Sequence, residues 1–325
     1  MSIEKKPLVN DLYTADPSAH VFNGKIYIYP SHDEDIDVEN NDNGDQYDMK
    51  DYHVYEMPDT ETYPRDCGCV LKLEDIPWAS KQLWAPDCVE KDGKYYFVFP
   101  ARDKEGFFRI GIATSDKPEG PFKAEPNYIP GSYSIDPCMF PDTDGKYYLT
   151  FGGIWGGQLD QYRNNKWSAD NKEPKGDEEA CTAKIALMKD NLLEMAEEPK
   201  DIVIVDENGK PLTGGDEARR YFEDPWMFKK GDTYYFTYST GTTHLLCYAT
   251  SKSVYGPFTY GGVILTPVLG WTTHHSILEY NGKWYLFYHD CERSGGINQK
   301  RNVKFRELKF NDDGSIQTMD GSLDK

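Results

Sequence analysis

Five similar units recur along the chain, and this recurrence constrains the fold more than any other feature of the sequence. Each unit opens near an acidic residue or a histidine, continues through a short apolar run, turns at a glycine and ends in a run rich in aromatic residues. The turns contain Asn23-Gly24, Asp92-Gly93, Asp144-Gly145, Gly231 and Asn281-Gly282. Two apolar runs joined by such a turn predict a β-hairpin. Hairpin units at intervals of roughly fifty residues predict an all-β fold, a propeller or another radial array.

A second repeated pattern supports the same organisation. The stretch from Ile112 to Phe122 resembles the stretch from Tyr248 to Phe258, since both run from Ala-Thr-Ser to Gly-Pro-Phe. We interpret each as a later strand, in blades two and four. Because the five units are alike and no linker divides them, residues 1–325 are predicted to form a single domain.

The charge and hydropathy of the chain argue against two classes of partner. The formal net charge is −19, whereas nucleic acids and anionic membranes attract clustered Lys and Arg. The mean hydropathy is −0.73, and no apolar run is long enough to predict a membrane span. We therefore expect neither nucleic acid nor membrane as a partner.

The start of the sequence and its cysteines bear on the compartment. The first residues, MSIEKKPLVN, lack the apolar core of a signal peptide. This predicts a cytoplasmic protein, or an exported one whose signal is absent from the sequence. The 7 cysteines are scattered, which suits a reducing compartment. Cys67-Gly-Cys69 has no second pair and is a weak metal motif, so most of the thiols are predicted to be buried in the core.

Two polar insertions interrupt the repeats. Residues 31–51 are dense in Asp, Asn and Glu, but Asp33, Asp35 and Asp37 are not followed by the Gly and terminal Glu of a calcium-binding loop. We interpret this insertion as a solvated loop at the rim of the propeller. Residues 164–179 are charged and rich in turn formers, and they are interpreted as a second exposed insertion.

Two tryptophans are candidates for a ligand-binding surface. Trp155 lies between Gly152-Gly153 and Gly156-Gly157. No Lys-Ser/Thr pair follows, so a phosphate loop is not indicated and the glycines instead suggest a loop that presents an aromatic ring. Trp84 precedes an inner strand, so it faces the central funnel or packs between blades.

Acidic residues recur where the first strands of the blades begin. In a propeller these strands lie nearest the axis, so Asp16, Asp136, Glu223 and His274 are predicted to converge on one end of the channel; Asp87 has a similar but shifted position. An ordinary Asp-Pro turn is the alternative interpretation of one such pair. Two carboxyl groups in different environments can hydrolyse a glycosidic bond, one as an acid and one as a base. A third carboxylate raises the pKa of the acid by repulsion.

The motifs together resemble a known family. The chain is similar to glycoside hydrolase family 43 from about Pro7 to Phe310, and this resemblance implies a five-bladed β-propeller. It is carried by Thr14-Ala15-Asp16-Pro17, Leu83-Trp84-Ala85-Pro86-Asp87, Ser134-Ile135-Asp136-Pro137, Tyr221-Phe222-Glu223 and Thr273-His274-His275-Ser276-Ile277.

The resemblance implies roles for individual residues. Hydrolysis is expected to invert the anomeric configuration, with Asp16 as general base and Glu223 as general acid. Asp136 is expected to orient Glu223 and raise its pKa. Inverting enzymes separate the acid and base carboxyl groups by roughly 6.5–9.5 Å, which leaves room for a water molecule.

The resemblance also implies a metal and a sugar-binding cation. Many family members hold calcium on the axis through one histidine and waters, and His274 matches that histidine better than His275 does. The alternative for His274 is a hydrogen-bonded histidine of the core. Arg301 resembles an arginine that reaches the innermost sugar; its alternative is a surface cation. One local departure is Asp224-Pro225, where small residues are commoner, and we expect this difference to affect the pocket wall but not the acid.

The expected substrates are xylan-derived oligosaccharides or polysaccharides. The segments 152–157 and 270–277 look most like those of β-xylosidases and α-L-arabinofuranosidases. An endo-arabinanase of the same family is one alternative. A retaining furanosidase of the invertase type is another, although Ala15-Asp16-Pro17-Ser18 departs from its Asn-Asp-Pro-Asn motif. A non-catalytic glycan-binding propeller is the third.

Overall fold

A computed structural model describes residues 2–271 and 274–324 of the protein. Thr273, which opens the predicted His274 motif, lies outside the described residues. The chain forms five β-sheets arranged as the blades of a propeller, so the predicted all-β, five-bladed fold is confirmed. In the part of the chain that is described, no helix is both long and apolar enough to cross a membrane.

The first two blades are formed by consecutive segments of the chain. Blade one contains β1 (Tyr13–Phe22), β2 (Lys25–Asp33), β3 (Asp51–Met57) and β4 (Arg65–Lys72). Blade two contains β5 (Ala79–Lys81), β6 (Asp87–Lys91), β7 (Lys94–Asp103), β8 (Phe108–Ser115) and β9 (Lys123–Ala124). β8 is the predicted later strand of blade two.

The remaining blades follow in order. Blade three contains β10 (Cys138–Pro141), β11 (Tyr147–Phe151), β14 (Lys184–Leu187) and β15 (Lys200–Asp201), with a small ribbon of β12 (Tyr162–Arg163) and β13 (Lys166–Trp167) inserted. Blade four contains β16 (Ile204–Val205), β17 (Glu223–Lys230), β18 (Thr233–Ser239), β19 (Leu246–Ser251) and β20 (Phe258–Leu265). Blade five contains β21 (His275–Tyr280), β22 (Lys283–Asp290) and β23 (Asn302–Leu308). Short 3-10 helices lie at Leu73–Asp75, Leu159–Gln161, Glu292–Ser294 and Gly321–Asp324.

The hairpin turns take the conformation that their residues favour. Asn23 and Gly24 have φ angles of 53° and 77°, and Asn281 and Gly282 have 52° and 76°. Positive φ at both central residues matches the twist of the flanking strands, and Asn and Gly tolerate it at low cost. These turns therefore fix the register of the first two strands in blades one and five.

The inner strands of blades one and four carry the same bulge. The pairing of β1 with β2 shifts between Ala15 and Ser18, around Asp16-Pro17, and that of β17 with β18 shifts between Glu223 and Trp226, around Asp224-Pro225. Asp16, Asp136 and Asp224 all have positive φ, of 50°, 58° and 63°. The expectation that Glu223 occupies the same repeat position as Asp16 is therefore wrong by one residue, because Asp224 is the equivalent of Asp16.

Polar groups of aromatic side chains connect neighbouring blades. Each donor bonds to a backbone carbonyl of the adjoining blade. The bonds run from the Tyr29 hydroxyl to Pro118 O (2.7 Å), Tyr147 to Glu90 O (3.0 Å), Trp226 Nε1 to Ile277 O (3.1 Å) and Tyr280 to Pro58 O (3.0 Å).

The N-terminal segment completes the last blade. Lys5 N donates to Phe305 O at 3.0 Å, and Leu8 N donates to Val303 O at 2.9 Å, along the outer edge of β23. The apolar side chain of Ile3 is buried in the same cluster as Phe305. Blade five therefore depends on both ends of the chain.

The prediction of mostly buried thiols is confirmed. Cys88, Cys138, Cys247 and Cys291 are buried, whereas Cys67 and Cys181 are half-buried and Cys69 is exposed. No disulfide links these seven residues, all of which are described. Apolar surroundings raise the pKa of such thiols and keep them unreactive.

Candidate active site

A single cavity of about 210 Å³ collects the residues that the sequence singled out. The acidic residues enter it from the starts of inner strands in different blades, so residues far apart in sequence share one wall. The predicted residues on this wall are Asp16, Trp84, Asp136, Trp155, Glu223, His274 and Arg301.

Asp16 is held in a polar environment that favours its ionised form. Its Oδ1 accepts from Arg301 Nη1 at 3.0 Å, and its Oδ2 accepts from Ser31 Oγ at 2.5 Å. His274 Nδ1 lies 3.5 Å from Oδ1 and His289 Nδ1 lies 3.4 Å from it. Burial raises the pKa of Asp16, but Arg301, the two histidines and Ser31 outweigh it and lower the pKa to about 2. The group is a carboxylate at neutral pH.

Glu223 lies in an environment that favours its protonated form. Its side chain is enclosed by the cavity wall but still reaches the cavity surface. Burial raises the pKa of Glu223, the charge of Asp16 raises it further, and Arg301 opposes them only in part, so the pKa reaches about 8. The group therefore carries a proton at neutral pH.

Asp136 lines the cavity together with these two groups. Burial raises its pKa well above the usual range, and repulsion from Glu223 and Asp16 adds to the rise. Its Oδ2 accepts a hydrogen bond of 3.0 Å from the backbone nitrogen of Asp224. This bond fixes the carboxyl group beside Glu223.

Arg301 is a buried residue, so the alternative of a surface cation is wrong. Its side chain is 7% exposed. Nε donates to Asp33 Oδ2 at 2.8 Å and Nη2 donates to Asp33 Oδ1 at 2.7 Å, which is a bidentate pair. The guanidinium also lies over the ring of Tyr47, 4.8 Å from its centroid. These contacts hold it against Asp16.

Asp224 anchors the two histidines that follow β20. Its Oδ1 lies 2.7 Å from His274 Nε2, and its Oδ2 contacts both the backbone nitrogen and the Nδ1 of His275. His275 Nε2 is 2.6 Å from Thr237 Oγ1, so both of its ring nitrogens are engaged. Asp224 is 1% exposed and lies behind the cavity rather than in its wall, contrary to the expected effect on the wall.

Asp87 belongs to a separate cluster. Its Oδ1 contacts Ser18 Oγ and, at 2.6 Å, His20 Nε2, while its Oδ2 accepts from Met139 N at 2.6 Å. These bonds join blades one, two and three. Asp87, at its shifted repeat position, therefore forms hydrogen bonds between blades.

The predicted tryptophans form part of an aromatic wall. Trp84 is 8% exposed and packs 4.6 Å from Phe108, so it serves the core and the cavity wall together. Trp155 is 37% exposed and stacks on Trp271 at 5.3 Å. Phe222 packs edge-on against Trp155, also at 5.3 Å.

Both polar insertions contribute to the cavity. The first supplies Asn40, Asn41, Asp42, Gly44, Gln46, Tyr47 and Met49 to the wall. In the second, Glu173 accepts from Trp155 Nε1 at 3.2 Å and pairs with Arg220 Nη2 at 2.8 Å. The insertions therefore shape the rim, and residues 31–51 are more than a solvated loop.

Sequence reasoning missed several residues of the site. Asp33 was grouped with the acidic insertion, although it is the last residue of β2 and two residues after Ser31, on the same face. Tyr47 and Trp271 had no repeat equivalent that would have singled them out. Asn298 was also missed; it lies in a polar segment without a recognisable motif.

A comparison with protein families decides which class of enzyme this chain represents. The sequence profile of glycosyl hydrolases family 43 matches residues 5–316. The chain belongs to glycosyl hydrolase family 43. The predicted family is therefore confirmed, and the protein is a glycosidase of the hydrolase class.

Close relatives agree with this membership. A xylosidase/arabinosidase of Bacteroides ovatus is 57% identical over 322 residues, covering 99% of each chain. A xylosidase/arabinosidase of Humicola insolens is 58% identical over 322 residues, covering 96% of this chain and 98% of the relative.

A solved family 43 structure is also similar. It is a β-xylosidase/α-arabinofuranosidase from a compost microbial metagenome, in complex with xylotriose and in a calcium-free form. It superposes with a TM-score of 0.96 at 55% identity, covering 99% of this chain and 98% of the other. The description of that form points to calcium binding among such relatives.

Proposed function

We propose that this family 43 enzyme removes terminal β-D-xylose, α-L-arabinofuranose or both from xylan- or arabinoxylan-derived oligosaccharides, with inversion of configuration. The observation that carries the proposal is the opposite protonation of two carboxyl groups in one cavity. Asp16 has a pKa of about 2 and Glu223 a pKa of about 8. Glycosidases need one ionised and one protonated carboxyl group at the working pH.

Asp16 acts as the general base. It accepts a proton from the water that attacks the anomeric carbon, and Ser31 and Arg301 hold its two oxygens during that step. Both donors are fixed before substrate binds, so little reorganisation accompanies the reaction. After the step Asp16 is protonated and returns its proton to solvent.

Glu223 acts as the general acid. It donates its proton to the glycosidic oxygen as the bond to the anomeric carbon breaks, and it becomes a carboxylate. Asp136 acts on Glu223 rather than on the sugar, and the Asp224 amide keeps it in position. The charge of Asp16 adds to burial in raising the pKa of the acid. Repulsion from neighbouring carboxyl groups is a general way to keep an acid protonated at neutral pH.

The cavity favours an exo mode of action. Its volume is about 210 Å³. Such a space suits one terminal sugar more than an internal segment of a polymer. Trp84, Trp155 and Arg301 are proposed to bind that sugar, the rings by packing on its apolar face and the guanidinium through its hydroxyl groups.

Calcium is proposed as a cofactor of this site. His274 is neutral because burial lowers its pKa to about 4 against the opposing effect of Asp16, so a ring nitrogen has a lone pair. The neighbouring carboxylate oxygen of Asp16 is the ligand type that Ca²⁺ prefers. His274 would hold the ion, directly or through water. When bound, it would supply positive charge to a cavity with an excess of carboxyl groups.

The experiment uses aryl β-D-xylopyranosides and α-L-arabinofuranosides with good and poor leaving groups. Glu223→Gln is expected to lose most activity on xylobiose and poor leaving groups but to retain more on activated aryl glycosides, because these need little protonation. Asp16→Asn is expected to lose activity on all of them. NMR of the first product formed reports the anomeric configuration.

Three outcomes would overturn parts of the proposal. A β-xyloside that yields β-xylose first would exclude inversion. Equal losses for both variants on every leaving group would exclude the assigned acid and base roles. A folded wild type that cleaves arabinan internally but not the aryl glycosides would be an endo-arabinanase.

A further inference from the structure

We propose that blade one carries a second metal site, built from His32, Asp51 and His53 and suited to a divalent transition ion such as Zn²⁺. One ligand atom from each of the three lies within 4.8 Å of the others. The site is separate from the catalytic cavity, whose wall does not include these three residues.

The strands bring these residues together. His32 lies near the end of β2, and Asp51 and His53 lie at the start of β3, which pairs antiparallel with β2. Residues 51 and 53 face the same side of their strand because side chains alternate. The rings of His32 and His53 meet edge to face with centroids 5.6 Å apart.

Hydrogen bonds prepare the ligands. His53 Nδ1 lies 3.0 Å from Asp66 Oδ2, so this nitrogen donates to the carboxylate and Nε2 keeps its lone pair. A carboxylate that orients a histidine in this way is typical of metal sites. His32 Nδ1 is 2.6 Å from Asp51 Oδ1. Asp66 therefore acts on His53 as a supporting residue, and Asp51 is a ligand.

The exposure of the site also suits an ion. The side chains of His32, Asp51 and His53 are 15%, 25% and 18% exposed. They are ordered by packing and still accessible from solvent.

Two imidazoles and one carboxylate form a familiar set of three zinc ligands, with water as the fourth. Zinc–nitrogen and zinc–oxygen distances of about 2.0–2.2 Å place bound ligand atoms roughly 3.3 Å apart in a tetrahedron. Oxygen-rich ligands would be needed for Ca²⁺, so this site differs in preference from the one around His274.

Metal binding is tested by titrating metal-free protein with Zn²⁺ in a calorimeter. The same titration is made with His274→Ala, so that binding in the catalytic cavity is counted separately. One Zn²⁺ per chain is expected to remain in His274→Ala. His53→Gln and Asp51→Asn, made in that background, are expected to weaken this binding at least about tenfold. Circular dichroism of each variant checks folding.

The matched control is Cys69→Ser, because Cys69 is the cross-strand partner of His53 but is not one of the three ligands. It is expected to keep the wild-type affinity. Loss of zinc in Cys69→Ser together with retention in His53→Gln would mean adventitious thiol binding and would overturn the proposal. So would wild-type affinity in both ligand variants.

A measurement on the unmodified protein does not depend on the folding of variants. Crystals grown with Zn²⁺ are expected to give an anomalous difference peak between His32 and His53 at the zinc edge. The unfolding midpoint is also expected to rise by a few degrees with excess Zn²⁺, since the ion binds the folded state. A peak elsewhere and none between these histidines would refute the site.

Discussion

Arg301 Nη1 donates to Asp16 Oδ1 at 3.0 Å, while Nη2 and Nε of the same guanidinium donate to Asp33 Oδ1 at 2.7 Å and Asp33 Oδ2 at 2.8 Å. Asp33 therefore holds the Arg301 guanidinium in place, and that guanidinium in turn holds Asp16, the proposed general base. A planar fork is needed for this arrangement, since an ammonium group cannot bind both carboxylates with the same geometry. The charge state of Asp16 thus depends on Asp33. This residue lies two positions after Ser31, which donates to the other oxygen of Asp16.

The first prediction concerns Arg301→Lys. Loss of the fork is expected to raise the pKa of Asp16 from about 2, so the acidic limb of kcat/KM moves to higher pH, by about one unit or more. The pH–rate profile measures this shift. Arg293→Lys is the control, because Arg293 donates to the backbone carbonyls of Leu12 and Asn10 instead. An unmoved acidic limb in Arg301→Lys would contradict the assignment.

The second prediction concerns the alkaline limb. Glu223 must be protonated to act as an acid, and its raised pKa of about 8 keeps it so below that pH. Activity on poor leaving groups is therefore expected to fall as pH rises through 8, and to be about tenfold lower one unit above it. Glu223→Gln cannot ionise at this position, so its residual activity should lack this limb. Persistence of the limb would assign it to another group.

The third prediction concerns Asp224, a positioning residue whose backbone nitrogen holds Asp136 beside Glu223. Asp224→Ala leaves the buried groups on His274 and His275 without their partner, at a cost of about 1–3 kcal/mol for each group left unpaired. Urea unfolding is expected to show this loss, and kcat is expected to fall because the backbone that holds Asp136 shifts. Asp224→Asn retains an oxygen acceptor and a similar shape, so it should recover much of the stability. Equal stability of wild type and Asp224→Ala would argue against the role.

The fourth prediction concerns the aromatic wall. Trp155→Ala removes a ring that lines the cavity, and KM is expected to rise by about three- to tenfold, which corresponds to the energy of one aromatic contact. The value of kcat should change little, since the ring binds the ground state and the transition state alike. Trp167→Ala is the matched control, because Trp167 is similarly exposed but is not among the cavity residues. Equal KM values for the two variants would remove Trp155 from the binding surface.

The repeats in the sequence predicted the propeller fold and the convergence of Asp16, Asp136 and Glu223 on one cavity. Hairpin turns such as Asn23-Gly24 have a local conformational cause, so they are readable without tertiary information. The Asp-Pro pairs marked the bulge at Asp16 and the left-handed backbone at Asp136. The same rule assigns Asp224, rather than Glu223, to the bulge in blade four. The neighbouring Glu223, one residue earlier on β17, lines the cavity, whereas Asp224 lies behind it.

Other parts of the site depend on contacts that have no local signature. Asp33 looks like one more acid in an acidic insertion, and its role is visible only from its ion pair with Arg301 of the neighbouring blade five. Tyr47 and Trp271 come from irregular segments whose paths are set by packing against other blades. The protonation of Glu223 likewise follows from burial and from Asp16, which are properties of the folded cavity.

The hydrogen bonds from Lys5 and Leu8 to β23 have a consequence for biosynthesis. The ribosome makes Lys5 and Leu8 about three hundred positions before their partners in β23. The contacts that close the ring therefore have a very large sequence separation. Contacts of this kind form late and slow folding. A nascent chain with four finished blades therefore still leaves the backbone of residues 5–8 as an unpaired edge, because its partner strand β23 is missing. Such edges pair readily with other chains, so the interval before closure is when this enzyme is most vulnerable to aggregation.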